Sequence, residues 1–180
     1  MVKNKKKYDP MFSWAKDLFP INRSLTGPGV RETLQYIKKL IPDLKIKNIK
    51  SGTKCFDWRI PNEWLAKEAW VKNLKGETII DFKNNNLHLV GYSKPINKKM
   101  NLKELNKHLY SLPKQPNAIP YVTSYYKTQW GFCIKHKDRK KLKKIKYHVY
   151  VNSELKPGVL NYGEIILKGK TNKEILLSTY

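Results

Sequence analysis

Cysteine is almost absent. Cys55 and Cys133 are the two in 180 residues, too few for a disulfide framework, so reduced thiols in a cytoplasmic protein are the expected state. No apolar run reaches the ~18 residues that a membrane-spanning helix needs. The leader Met1-Val2-Lys3-Asn4-Lys5-Lys6-Lys7 is basic but no apolar stretch follows it, so it does not read as a secretory signal. Acidic residues are few, 14 against 37 basic ones, and the net charge is +23. A charge of that size raises nucleic acid as a partner. Arginine, whose planar fork suits phosphates and base edges, is itself scarce: Arg23, Arg31, Arg59 and Arg139 stand against 33 lysines. The lysines are scattered, with one dense run from Lys135 to Lys146. A solvated, lysine-biased surface is the plainer reading, with weak adhesion to polyanions at low salt. Neither a specific nucleic acid nor a membrane is expected as partner.

Catalytic signatures are missing too. The chain contains no H-E-x-x-H, P-loop, G-x-G-x-x-G or G-x-S-x-G. Cys133-Ile134-Lys135-His136 is a C-x-x-H, but a tetrahedral zinc site draws about four ligands, usually from two such pairs, and there is no second pair. The four histidines, His88, His108, His136 and His148, lie in unrelated segments. No catalytic and no metal-binding residue is assigned.

What the chain does have is a core. Hydrophobic residues make up 40% and aromatics 12%, including five Trp and eleven Tyr, too much for a disordered tail. Length predicts one domain, or one domain with an excursion. Residues 1–10 read as a basic leader. Residues 11–18 read as a short helix stopped near Pro20, and residues 28–41 as a second, with Val30, Leu34 and Ile37 on one stripe and Pro42 ending it. Residues 44–49 alternate as a half-buried strand does. Short strands are expected at 69–71, 78–82, 87–90, 131–134 and 147–151, with a helix from about Asn101 and a proline-rich loop at 112–120. Two closing strands are expected at 163–168 and 174–180, the second apolar enough to lie buried on both faces of an α/β sheet.

Two constellations invite chemistry. Asp57 and Glu63 lie close enough to form an acid–base pair, or one caps a turn while the other salt-bridges Arg59. Asn22, Arg23, Ser24 and Thr26 gather an arginine and short hydrogen-bonding side chains just before a helix N-terminus, a place that attracts anions. They are the candidate substrate-binding residues. The competing reading is helix capping by Thr26 or Ser24. An aromatic-rich binding module for a partner protein or glycan, using Trp58, Trp64, Trp70, Tyr125, Tyr126 and Trp130, is the alternative function.

Longer motifs carry a resemblance. Leu18-Phe19-Pro20-Ile21-Asn22-Arg23-Ser24-Leu25-Thr26-Gly27 with Val30-Arg31-Glu32-Thr33-Leu34, Phe56-Asp57-Trp58-Arg59-Ile60-Pro61-Asn62-Glu63-Trp64, Asn117-Ala118-Ile119-Pro120-Tyr121-Val122-Thr123-Ser124-Tyr125-Tyr126, Trp130-Gly131-Phe132-Cys133, and Gly163-Glu164 with Ile175-Leu176-Leu177-Ser178-Thr179-Tyr180 appear in that order. From about residue 11 onward the chain resembles a bacterial aminopeptidase-like family whose members carry the label polysaccharide biosynthesis protein with aminopeptidase-like domain. The resemblance implies a zinc-aminopeptidase-like α/β domain at 11–55 and 160–180. It implies a strand-rich, lid-like insert of unknown function at 56–159. Complete relatives would hold zinc and cleave peptide or amide bonds, with a link to surface-polysaccharide biosynthesis. The family's metal-binding His, Asp and Glu would follow the strand equivalent to 174–180. No family zinc ligand or general base is therefore carried onto this chain, which is expected to be an N-terminal fragment, inactive alone. A missing C-terminal half or complementary chain is the implied partner.

Overall fold

The computed structural model describes residues 10–124 and 127–179. Most of the basic leader, together with Tyr125, Tyr126 and Tyr180, lies outside the described residues. Two helices open the chain, α1 (Pro10–Leu18) and α2 (Pro28–Leu40). Strands β1 (Lys45–Lys50), β2 (Lys54–Cys55), β3 (Trp58–Arg59), β4 (Glu63–Asn73), β5 (Thr78–Asp81) and β6 (Ile96–Asn101) follow. Next come α3 (Leu102–Asn106), β7 (Leu109–Tyr110), β8 (Phe132–Cys133), α4 (His136–Arg139), β9 (Lys146–Lys156) and β10 (Val159–Glu164). The chain thus mixes strands with a few helices, as expected.

The centre is an antiparallel sheet in the order β5-β4-β9-β6. β4 and β9 are its long members, and each buries alternate residues. On β9 these are Tyr147, Val149, Val151 and Ser153; on β4 they are Trp64 and Ala66, then Ala69 and Val71. The change of phase on β4 is a bulge. Ala66 faces Ser153 and Glu68 faces Asn152, so Lys67 has no opposite residue. One extra residue returns the apolar set to the same face, where a strict two-residue period would have turned Ala69 and Val71 to solvent. Ile80 of β5, Met100 of β6 and the residues Leu89, Tyr92, Leu105, Leu109, Trp130, Phe132 and Ile134 join them in one cluster.

A second, two-stranded sheet pairs β1 with β10 antiparallel, from Lys45↔Glu164 to Lys50↔Val159, and α2 packs on it. Residues 44–50 and the region around 163 therefore meet as expected. The closing strands do not form as expected. The first lies at Val159–Glu164 rather than 163–168, because β1 begins at Lys45, opposite Glu164, and offers nothing for Ile165 to pair with. Residues 174–179 form no strand, and Ile175, Leu176 and Leu177 are exposed, Leu177 at 91%. A strand needs a neighbour for its N–H and C=O groups, and no described strand lies alongside.

Other differences are local. Residues 87–90 turn instead of extending: the Asn85 side chain accepts a hydrogen bond from Leu87 N at 3.0 Å and caps a 3-10 turn at Asn86–His88. The strand expected at 69–71 is the middle of the much longer β4. β6 was not foreseen. It is an edge strand with lysines at 98 and 99, a composition that blocks further pairing.

Candidate functional site

After α1 the backbone turns, with Ile21 N donating to Leu18 O at 3.2 Å. The Arg23 guanidinium folds back onto the same carbonyl at 3.1 Å. From the sheet side, Asn86 Nδ2 donates to Phe19 O at 2.9 Å and Ile21 O at 3.2 Å. Further on, Ser24 Oγ donates to Thr26 O at 2.7 Å. Thr26 is 1% exposed; its Oγ1 donates to Asn62 O at 3.2 Å and shares a 2.7 Å hydrogen bond with Tyr92 OH. Tyr92 in turn stacks on Trp64, with centroids 5.6 Å apart, and holds a left-handed φ of 61°. A non-glycine residue is kept there only when its surroundings over-determine it. The loop is therefore pinned to the sheet's core.

Neither Ser24 nor Thr26 caps α2. The N-cap is Gly27, with φ 100° and no side-chain bond, and Pro28 takes the first turn. Both hydroxyls are committed elsewhere, which corrects the capping expectation. A Cβ at Gly27 would also stand 2.7 Å from Trp64 O, so the close approach of loop and β4 requires glycine.

Between this loop and β4 lies a cleft of about 190 Å³ lined by Asn22, Ser24, Thr26, Glu32, Trp64 and Phe82. A wider cleft of about 540 Å³ continues over Asp17, Asn22, Glu32, Tyr36 and Lys39. Three of the four expected site residues thus come together, and Arg23 does not join them. Glu32, which sequence reasoning missed, lines both clefts. Tyr36 OH donates to Asp17 Oδ2 at 2.7 Å, a bond to a carboxylate that raises the phenol's pKa. The walls carry two carboxylates, Asp17 and Glu32, and one cation, Lys39, while Arg23 is turned onto Leu18 O.

A second junction forms at Arg31, the residue before Glu32 on α2. Arg31 grips Glu63 with two bonds, Nη1 to Oε1 at 2.6 Å and Nη2 to Oε2 at 3.2 Å, and Glu63 Oε1 also accepts from Val159 N at 3.0 Å. The Arg31 guanidinium and the Val159 N–H hold the Glu63 carboxyl below the usual carboxylate range against the opposing effect of burial. α2, β4 and β10 thus meet on one side chain. Gly158 lets the chain close over it, since a Cβ there would sit 2.4 Å from Glu63 Cγ. The partner expected for a salt bridge was Arg59. It donates instead to Gly52 O at 3.1 Å, and no Asp57–Glu63 acid–base pair is present among the described contacts.

The C-x-x-H residues are engaged elsewhere. Cys133 is fully buried, and burial pushes its thiol up to about 12, far from the thiolate a metal takes. His136 Nδ1 shares a 3.0 Å bond with Ser111 Oγ, which also accepts from Arg139 Nη1 at 3.2 Å. His88 donates Nδ1–H to Cys133 O at 2.7 Å. His108 stacks on Trp130 at 3.8 Å. Among the described residues no three His, Cys, Asp or Glu side chains converge as metal ligands do. The basic run is broken as well: Arg139 is turned onto Asn106 and Lys141 pairs with Asp138.

Among the described residues the aromatic binding set is dispersed. Trp64 is 4% and Trp130 6% exposed, both in the core. Trp70 lies across the sheet, stacked on Tyr150 at 5.1 Å, with Lys72 Nζ 4.5 Å above its ring. Tyr125 and Tyr126 lie outside the described residues. No helix among those residues is long and apolar enough to cross a membrane.

Comparison with known proteins adds what the cleft alone does not. Residues 63–154, which hold β4 through most of β9, match the family described as "Domain of unknown function (DUF2172)". Over 170 residues the chain is 48% identical to a Clostridium acetobutylicum protein named "Putative polysaccharide biosynthesis protein with aminopeptidase-like domain". That match takes in 94% of this chain and 39% of the relative. The crystal structure of a "putative peptidase" from Clostridium acetobutylicum superposes with a TM-score of 0.81 at 48% identity, over 86% of this chain and 36% of that one. The chain spans about two fifths of the length of the relative it matches.

Proposed function

The chain belongs to the family of the domain of unknown function DUF2172, and from that premise we propose that it is the lid-bearing part of an aminopeptidase-like hydrolase that acts on peptide or amide bonds in surface-polysaccharide biosynthesis. The observation that carries this reading is the 48% identity over 170 residues to a relative whose name joins an aminopeptidase-like domain with polysaccharide biosynthesis. The sheet of β5-β4-β9-β6 is the lid. α1, α2 and the β1–β10 pair are its junction to a hydrolase domain. The 190 Å³ cleft holding Asn22, Ser24, Thr26 and Glu32 lies on that junction and is the candidate substrate-facing surface.

Complete members of such a family would use zinc to activate a water for attack on a carbonyl. The residues described here do not fit a zinc ion: His88, His108, His136 and His148 are held on a backbone carbonyl, an indole, a serine and an asparagine in turn, and Cys133 is a buried neutral thiol. Ligands and general base would come from polypeptide beyond this chain, the three fifths of the relative that it does not match. On this reading the chain's own residues position the lid. Arg31 and Glu63 lock helix to sheet, and Tyr92 and Thr26 fix the loop that lines the cleft.

Zinc content and hydrolysis of amino-acid anilides, measured on the chain alone and after addition of the C-terminal remainder of the Clostridium relative, test the reading. It expects neither stoichiometric zinc nor turnover from the chain alone, and both after addition. Stoichiometric zinc with chelator-sensitive hydrolysis by the chain alone would refute it.

A further inference from the structure

The hairpin of β2 and β3 is poorly suited to its own fold. Phe56 at its tip is 92% exposed and holds φ at 52°, in the left-handed region. Glycine or asparagine takes that conformation at little cost, and an aromatic residue does not. The next residues are no better. Lys54 lies directly opposite Arg59, two like charges across one ladder rung. The indole Nε1 of Trp58 is buried with no hydrogen-bond partner among the described residues. An exposed aromatic ring, a strained backbone, a repulsive pair and an unpartnered donor fall within six consecutive residues.

The base of the hairpin is rigid all the same. Gly52 N donates to Ile60 O at 2.8 Å and Ile60 N to Thr53 O at 3.0 Å, and Ile60 is buried. Ser51 bonds Gly158 in both directions, N to O at 2.9 Å and Oγ from N at 3.0 Å. Its hydroxyl also donates to Pro61 O at 2.9 Å. The fold holds a disfavoured tip on a firm stem. Local features that cost stability and are nonetheless held in place mark function.

We propose that this hairpin is a docking finger whose Phe56 ring enters an apolar pocket, rimmed by carboxylates, on the polypeptide that completes the hydrolase. The proposal rests on the reading that such a polypeptide exists. Three observations choose that occupant. The finger precedes residues 63–154, the stretch that matches the family model, and lies outside the four-stranded sheet. The relative has about three fifths of its length beyond the match, enough for a whole domain. Lys54 and Arg59 oppose each other at the neck of the hairpin and outnumber Asp57 at its tip, so the finger is net basic and suits an acidic rim. A second copy of this chain, at +23, would repel them. In the complex the ring is desolvated and carboxylates screen the two cations from each other, so the partner relieves the exposed ring and the repulsive pair.

The test titrates the chain by calorimetry with the C-terminal remainder of the Clostridium relative. Phe56→Asn is expected to weaken binding at least tenfold while leaving the thermal midpoint of the chain alone unchanged or raised, because asparagine accepts the left-handed backbone. Phe56→Gly provides a second variant with the same expectation. Lys54→Glu should weaken binding several-fold, and added salt should shrink that difference. Equal binding by wild type and Phe56→Asn overturns the finger and leaves the proposed function standing. No binding by the wild type overturns both. A lowered midpoint in both Phe56 variants makes the ring structural and overturns the finger. Binding to phosphatidylserine vesicles that depends on Phe56, with unchanged affinity for the polypeptide, assigns the ring to a membrane and also overturns it.

Discussion

The four-stranded sheet and the segments that flank it obey different rules. Within β4, β6 and β9 and the cluster they support, polar groups are paired. Ser93, fully buried, donates to Val90 O at 2.6 Å, accepts from Gly131 N at 3.2 Å, and offers its carbonyl to Trp64 Nε1 at 3.0 Å and Ser153 Oγ at 2.7 Å. The flanks leave apolar surface uncovered. Neither α1 nor α2 has a buried residue, and Met11, Phe12 and Phe19 face solvent with Ile175, Leu176 and Leu177. Large apolar side chains left exposed in this number are the kind of surface that interaction sites use. The contrast puts the buried core in the sheet and most of the uncovered apolar side chains in the flanks.

The largest expected difference between the two regions is in the cost of losing an indole. Trp64→Ala removes a core ring, its stack on Tyr92 and its bond to Ser93, and should cost about 3–5 kcal/mol. Trp14→Ala on α1 should stay within about 0.5 kcal/mol in the chain alone. Urea midpoints of the two variants check this, and equal losses would erase the distinction between sheet and flank.

A smaller effect belongs to the seam. The folded-state pKa of Glu63 is depressed by Arg31 and Val159. Its contribution is therefore fully present above the unfolded value and is lost as pH falls through the folded one. Glu63→Gln should destabilise the chain at neutral pH, and the gap from wild type should close as pH falls from about 5 to about 3. Stability curves for both proteins across that range provide the measurement. A gap that stays constant with pH would show that the carboxylate charge is not what holds α2 to β4 and β10.

The smallest effect compares two thiols. Cys55 is exposed on the finger and Cys133 is buried with its thiol pushed up to about 12. At pH 8 a thiol reagent should label one site in the native chain and two after denaturation. Rapid native labelling at both would mean that the cluster around Phe132 opens readily.

How far the sequence reveals this arrangement differs between the same two regions. The alternation of Tyr147, Val149 and Val151 and the stripe of Val30, Leu34 and Ile37 are local patterns, and the strand and helix they predict are present. The loop residues Asn22, Ser24 and Thr26 do reach one cleft, because a turn before a helix start brings near neighbours together. Arg23 lies apart from that cleft because its guanidinium turns back onto Leu18 O, a local acceptor. Tyr92 could not be read as a site neighbour, because its partners Thr26 and Trp64 lie far away in sequence. The apolar run at 175–177 has the pattern of a buried strand, but pattern alone does not supply the neighbour that a strand requires. β6 was hidden by its lysines, which suit an edge and obscure alternation.

Hydrogen exchange, residue by residue, reads the contrast between regions most directly. In the chain alone, amides of β4 and β9 should exchange only through global unfolding, while those of α1 and residues 165–179 exchange by local opening at far lower free energy. Adding the C-terminal remainder of the Clostridium relative should slow exchange in α1, α2, the β2–β3 hairpin and residues 174–179, and leave β4 and β9 unchanged. Flanks already as protected as the sheet in the isolated chain, or flanks whose exchange does not respond to the added polypeptide, would contradict the account.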